Sequence, residues 1–130
     1  MTNDAPTKSA LVVDDMSVMR RSVANLLRSQ GFAPVDEVSS GPDALNQIAA
    51  AGGYDLVISD WNMDPMTGLE VLTTLKSDDR FQAVTFILMT AEPSPEKQAA
   101  AEAAGVSGFL VKPFSASDLN SEIERVFGET

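Results

Sequence analysis

The chain has 130 residues, with nine Lys or Arg against nineteen Asp or Glu, a net charge of −10, and neither Cys nor His. At 44% hydrophobic and 22% charged it has the composition of one globular domain, and it excludes disulfides, thiolate or imidazole metal sites, cysteine nucleophiles and histidine triads. So acidic a chain repels phosphate backbones and anionic lipid; with no apolar run of bilayer length and a polar stretch over residues 1–8 in place of a signal-peptide core, a cytoplasmic protein without nucleic-acid or membrane binding is expected.

The first apolar run, Ala10-Leu-Val-Val13, is short, rich in Val and without polar alternation, as a strand buried on both faces of a parallel sheet requires. Met19, Val23, Leu26 and Leu27 follow with helical spacing, Ser17 standing as N-cap and Gly31 just past the end. Residues 34–38 predict a weaker strand nearer the sheet edge. The second helix has Pro42 near its start, apolar Ala44, Leu45 and Ile48, and Gly52-Gly53 beyond its end. Leu56-Val-Ile58 predicts the third strand, and Leu69, Leu72 and Leu75 mark the helix after it. Phe86-Ile-Leu-Met89 predicts a fourth strand. Pro95-Glu96 opens an alanine-rich helix that Gly105 stops. Phe109-Leu-Val111 is the fifth strand, and Ser115 with Asp118 resembles a capping box opening a helix whose inward positions are Leu119, Ile123, Val126 and Phe127.

Strand and helix therefore alternate five times, which demands parallel strands with helices on both faces: a doubly wound α/β fold. The units fill the chain, so a single domain over residues 1–130, with a core of about 9–127 and no output domain, is expected.

In such a sheet the residues just past the strand ends converge on one crevice. Those positions hold Asp14 and Asp15 after the first strand, Asp60 after the third, Thr90 after the fourth and Lys112 after the fifth. Taken singly, each has an ordinary reading: an Asp pair caps a turn, and a lone Lys is a solvated charge. Together they form a site. Two unit charges about 4 Å apart repel by roughly 4 kcal/mol even at an effective dielectric near 20, so converging carboxylates either keep protons or share a cation. All-oxygen ligation suits Mg²⁺. Lys112 adds a mobile cation and Thr90 a hydroxyl donor, and this set of groups is what phosphoryl transfer to a carboxylate needs.

Over nearly its whole length, from about Ser9 to Phe127, the chain resembles the receiver domains of two-component response regulators, most closely those of chemotaxis. The stretches that carry the resemblance are Leu11-Val-Val-Asp-Asp15, Met19-Arg-Arg21, Asn25-Leu-Leu27, Gly52-Gly-Tyr54, Ile58-Ser-Asp-Trp-Asn-Met63, Gly68-Leu-Glu70, Thr90-Ala-Glu92 and Val111-Lys-Pro-Phe114. The resemblance implies a flavodoxin-like sheet of strand order 2-1-3-4-5. It makes Asp60 the acceptor of a phosphoryl group from a sensor kinase phosphohistidine. Asp15, Asp60 and the backbone carbonyl of Asn62 would bind Mg²⁺ directly, Asp14 through water, while Thr90 and Lys112 hold phosphate oxygens. Phe109 falls at the aromatic switch position, whose ring turns inward as Thr90 moves, and Asn62 and Glu92 at positions that tune dephosphorylation. Lys112-Pro113 matches a characteristically cis bond.

Three places depart from the pattern. The loop after Asp60 has Asp64 where the family has Pro, Pro65 one later, and Thr67 where an acidic or amide residue precedes the glycine; Asp64 is expected to face solvent. Two prolines, Pro93 and Pro95, stiffen the approach to the fourth helix. Asp118, Glu122 and Glu124 make the fifth helix acidic. The expectation is a stand-alone monomeric receiver, itself no enzyme beyond its own phosphorylation and dephosphorylation, with a flagellar motor switch protein as target. Three alternatives stand beside it: a relay intermediate or phosphate sink serving a phosphotransfer histidine, an aspartate-nucleophile phosphatase, and a phosphorylation-independent binding module. The phosphatases place Asp-x-Asp after the first strand, where this chain has adjacent Asp14 and Asp15.

Overall fold

The computed structural model describes residues 7–128; most of the polar leader over residues 1–8 lies outside them. The chain runs β1 (Ala10–Val13), α1 (Ser17–Ser29), β2 (Val35–Val38), α2 (Gly41–Ala51), β3 (Leu56–Asp60), α3 (Gly68–Lys76), β4 (Thr85–Thr90), α4 (Pro95–Ala103), β5 (Gly108–Val111) and α5 (Ala116–Val126). All four strand pairings are parallel, and the order across the sheet is β2-β1-β3-β4-β5. The alternation in the sequence thus becomes the predicted sheet, with the weak second strand at one edge.

Side-chain alternation divides the strand residues between two cores. Leu11, Val13, Val57, Phe86 and Leu88 point to the face covered by α2, α3 and α4, where they meet Ala44, Ile48, Val71, Leu72, Leu75 and Ala101. Ala10, Val12, Ile58, Ile87, Met89 and Leu110 point the other way, onto Val23, Ala24 and Leu27 of α1 and Leu119 and Ile123 of α5. Every residue of β1 and β3 is buried, which is why these strands carry no polar alternation. Each fully buried large side chain, such as Phe86 or Leu88, contributes about 2–3 kcal/mol.

Helix starts differ in how they satisfy their first amides. Ser40, Thr67, Ser94 and Ser115 each cap a helix with a side-chain oxygen, and Thr67 with Glu70 and Ser115 with Asp118 form complete capping boxes. Thr67, a departure from the family pattern in sequence, is therefore the residue that starts α3. The expectation for Ser17 does not hold. Ser17 is the first helical residue, the cap position is Met16, and no side chain caps it. The reason lies one strand-end earlier: Oδ1 of Asp14 accepts the Met16 amide at 3.0 Å, so the chain turns into α1 before Ser17 is reached.

At Gly68 the fold requires glycine. A Cβ there would press on the carbonyl oxygen of Asp60, on Leu88 and on Ser59, because the first turn of α3 packs directly against the end of β3. The Gly68 amide donates to the Trp61 carbonyl at 3.0 Å, closing the loop that carries Asn62 and Asp64.

Candidate functional site

The carboxyl ends of β1, β3, β4 and β5 meet at one mouth because parallel register brings them level: Val13 pairs with Ser59, Asp60 with Met89, and Thr90 with Val111. Asp14, Asp15 and Asp60 each offer a carboxylate oxygen, all within 4.8 Å of one another. Asp14 is fully buried, Asp60 nearly so, and Asp15 is exposed. Lys112 reaches across from beyond β5, its Nζ 3.0 Å from Asp60 Oδ1 and 3.3 Å from Asp14 Oδ2. Its own amide donates to the Thr90 carbonyl at 2.7 Å, which fixes the backbone from which the side chain extends. The Lys112–Pro113 bond is cis.

The charges are in tension. Burial pushes the Asp60 carboxyl above the usual aspartate range, and the neighbouring Asp14 and Asp15 push it the same way, while the Lys112 ammonium pulls back. Lys112 feels the mirror image: burial alone would lower its pKa, but its bond to Asp60 and the charges of Asp14 and Asp60 raise it. One lysine thus faces three carboxylates. The donor set is all oxygen, hard and net negative, and the residues present fit a small divalent cation such as Mg²⁺.

Thr90 is fully buried at the end of β4, and its Oγ1 accepts the Glu92 amide at 3.1 Å, so in this conformation the hydroxyl oxygen serves the β4–α4 loop. Asn62, Asp64 and Glu92 are exposed around the mouth. Phe109, half-buried on β5, packs with the core beneath α3 and α4; its ring meets Trp61 edge-on, centroids 6.3 Å apart at 84°. That places it on a different face of β5 from the Leu110 side chain and away from the lysine.

Some residues of this region had no role assigned from sequence. Trp61, which directly follows Asp60, is buried between Phe109 and Lys97, whose ammonium lies 5.8 Å from the indole and donates to the Glu92 carbonyl at 2.9 Å. Arg20 donates from Nη1 to the Asp14 carbonyl at 2.9 Å. The signals were present only as neighbours in motifs: Trp61 next to Asp60, Arg20 within Met19-Arg-Arg21, Lys97 in the first turn of α4. A hollow of about 450 Å³ lies at the opposite end of the sheet, between Ser9, Tyr54, Arg80, Phe81 and Phe127, and contains none of these groups.

A doubly wound sheet with an acidic cluster and an invading lysine at its carboxyl edge defines the receiver class of signalling domains. A model of the response regulator receiver domain matches residues 10–124, and the chain belongs to that family. It is 40% identical over 117 residues to the chemotaxis protein CheY of Pseudomonas aeruginosa, an alignment covering 90% of this chain and 94% of that protein. Among solved structures, the chemotaxis protein CheY4 of Vibrio cholerae superposes with a TM-score of 0.86 at 33% identity, over 93% of this chain and 99% of that one. The receiver domain of a Pseudomonas aeruginosa sensor histidine kinase shares the fold at TM-score 0.83 and 23% identity, over 95% of this chain and all of that one; its structure has a magnesium ion coordinated in the active-site cleft.

Proposed function

We propose that this chain is a CheY-like signalling switch that accepts a phosphoryl group on Asp60 from the phosphohistidine of a sensor histidine kinase. The observation that carries the reading is the Asp60 carboxylate, buried, level with Asp14 and Asp15, and held at 3.0 Å by Lys112. In the transfer the P–N bond of the donor breaks and a bond from phosphorus to an Asp60 carboxylate oxygen forms. Lys112 favours the ionised, nucleophilic carboxylate before transfer and pairs with phosphoryl oxygens after it. Asp14, Asp15, Asp60 and the backbone carbonyl of Asn62 would hold Mg²⁺, which when bound neutralises charge on the transferring group.

Phosphorylation adds about −1.5 to −2 charges and several strong acceptors at Asp60. Thr90 then exchanges its bond with the Glu92 amide for one with the phosphoryl group, and the space it leaves admits the Phe109 ring. Asn62 and Glu92, exposed at the rim, set the access of water to the acyl phosphate. The output is phosphorylation-dependent protein binding, with a flagellar motor switch protein as target by analogy with the chemotaxis relatives; the chain itself serves as a cytoplasmic monomer without nucleic-acid or membrane contacts, and its only chemistry is on itself.

Incubation with acetyl phosphate and Mg²⁺ followed by intact-mass measurement tests the acceptor. One phosphoryl group is expected on the native chain and none on Asp60→Asn. An equal mass gain in both would remove Asp60 from the role, and steady turnover of a phosphomonoester would favour a phosphatase. A phosphorylated form with no change in affinity for a motor switch protein, but with rapid transfer to a phosphotransfer histidine, would place the chain in a relay.

A further inference from the structure

β5 is an edge strand, so its outward backbone groups have no neighbouring strand to pair with. α5 supplies substitutes. Glu122 Oε2 accepts the Phe109 amide at 2.9 Å, and Arg125 Nη2 donates to the Ser107 carbonyl at 3.2 Å. The same guanidinium grips the carboxylate, Nε to Oε1 at 3.1 Å, so two side chains one turn apart on α5 span the edge from Ser107 to Phe109. The Glu122 side chain is 16% exposed and Arg125 60%, so the carboxylate is covered by its own partner. Gly108, between the two anchored residues, makes this approach feasible: a Cβ there would collide with Glu122 Oε2 and lie 2.8 Å from Val126 Cγ1. The acidic character expected of α5 is thus only partly on its surface, since Glu122 faces the sheet, while Asp118, which closes the capping box, and Glu124 are exposed.

We infer that Glu122, oriented by Arg125, is a positioning residue for Phe109: by holding the Phe109 amide it sets where the ring meets Trp61, and so ties α5 to the residue beside Asp60. An aromatic side chain can report a change at its neighbour only if its backbone stays put while the ring moves about χ1. Pairing with β4 holds β5 on its inner side only; the outward Phe109 amide has no next strand to bond, and the Glu122 carboxylate completes the anchor. The inference deepens the proposed function and rests on the reading of Phe109 as the aromatic that follows the state of Asp60.

Trp61 is the sole tryptophan, and its emission reads the ring contact directly. In the full chain, Glu122→Ala is expected to shift the resting Trp61 emission and to reduce by about half or more its change on phosphorylation by acetyl phosphate, with the extent of phosphorylation by mass unaltered. Glu122→Gln, which keeps an acceptor for the amide, restores most of both. Gly108→Ala, which displaces the carboxylate while leaving it in place chemically, reproduces the Glu122→Ala shift and serves should that variant fold poorly by circular dichroism. Resting emission and response equal to the native chain in both Glu122→Ala and Gly108→Ala, alongside an altered emission in Phe109→Leu, overturn the inference alone. A native chain that gains no phosphoryl mass overturns the reading of Asp60 instead, and the resting emission still decides the role of Glu122.

Discussion

Lys112 is the residue on which the acidic mouth balances. Among the described residues its ammonium is the one cation within ion-pair distance of both Asp14 and Asp60, and Asp14 has no solvent exposure to fall back on. Removing one member of such a network leaves charge uncompensated, a larger loss than the net worth of the pair. At this partly open mouth water screens some of it, so Lys112→Ala is expected to lower the unfolding free energy by about 2 kcal/mol in metal-free urea titrations. Because a divalent cation can take over the neutralisation, Mg²⁺ should return more stability to the variant than to the native chain. An unchanged metal-free midpoint would mean the carboxylates do not need the lysine. The meeting of Asp14, Asp15, Asp60 and Lys112 was legible in sequence for a simple reason: each stands at or just past the end of an apolar run, and strand ends in a parallel sheet are where such residues converge. Trp61 and Lys97 were not, since an aromatic and a lysine in loops and helix starts are ordinary until a fold puts one over the other.

Among the helices, the contrast between α1 and α5 separates a cap that works from one that only looks right. Ser115 accepts the Asp118 amide at 3.0 Å and Asp118 answers to the Ser115 amide at 3.1 Å, whereas Ser17 makes no cap bond. Ser115→Ala should therefore cost about 1 kcal/mol, and Ser17→Ala less than about 0.5 kcal/mol, by equilibrium denaturation. Equal losses would contradict the cap assignments. The serine that opens α1 could not be judged from sequence, because it was the buried Asp14 that took the Met16 amide, and that reach is a fact of the folded chain. The same holds on α5: spacing identified Leu119 and Ile123 as inward, but only the position of β5 decides that Glu122 turns inward too.

For the molecule as a whole, a charge of −10 with three carboxylates gathered at one end of the sheet stores repulsion that a bound cation relieves. A ligand that binds only the folded form stabilises by RT ln(1 + [L]/Kd), about 1.4 kcal/mol at ten times Kd. In a chain of 130 residues that amounts to roughly 5 °C in thermal midpoint. Mg²⁺ is therefore expected to raise the midpoint of the native chain by that order and EDTA to reverse it, with a smaller rise in Asp60→Asn. No response in the native chain would set aside the metal assignment while leaving the fold untouched. What the sequence settled alone was the alternation of strands and helices, hence the parallel sheet, its two cores and the four strand ends that converge, because apolar run length and helical spacing are local properties of the chain. What only the folded molecule decided were the contacts between elements remote in sequence: Asp14 in place of Ser17 at the start of α1, Trp61 beneath Phe109, Gly68 against Asp60, and Glu122 on the edge of β5. Those depend on which faces meet and how closely, and no local pattern encodes a distance across the sheet.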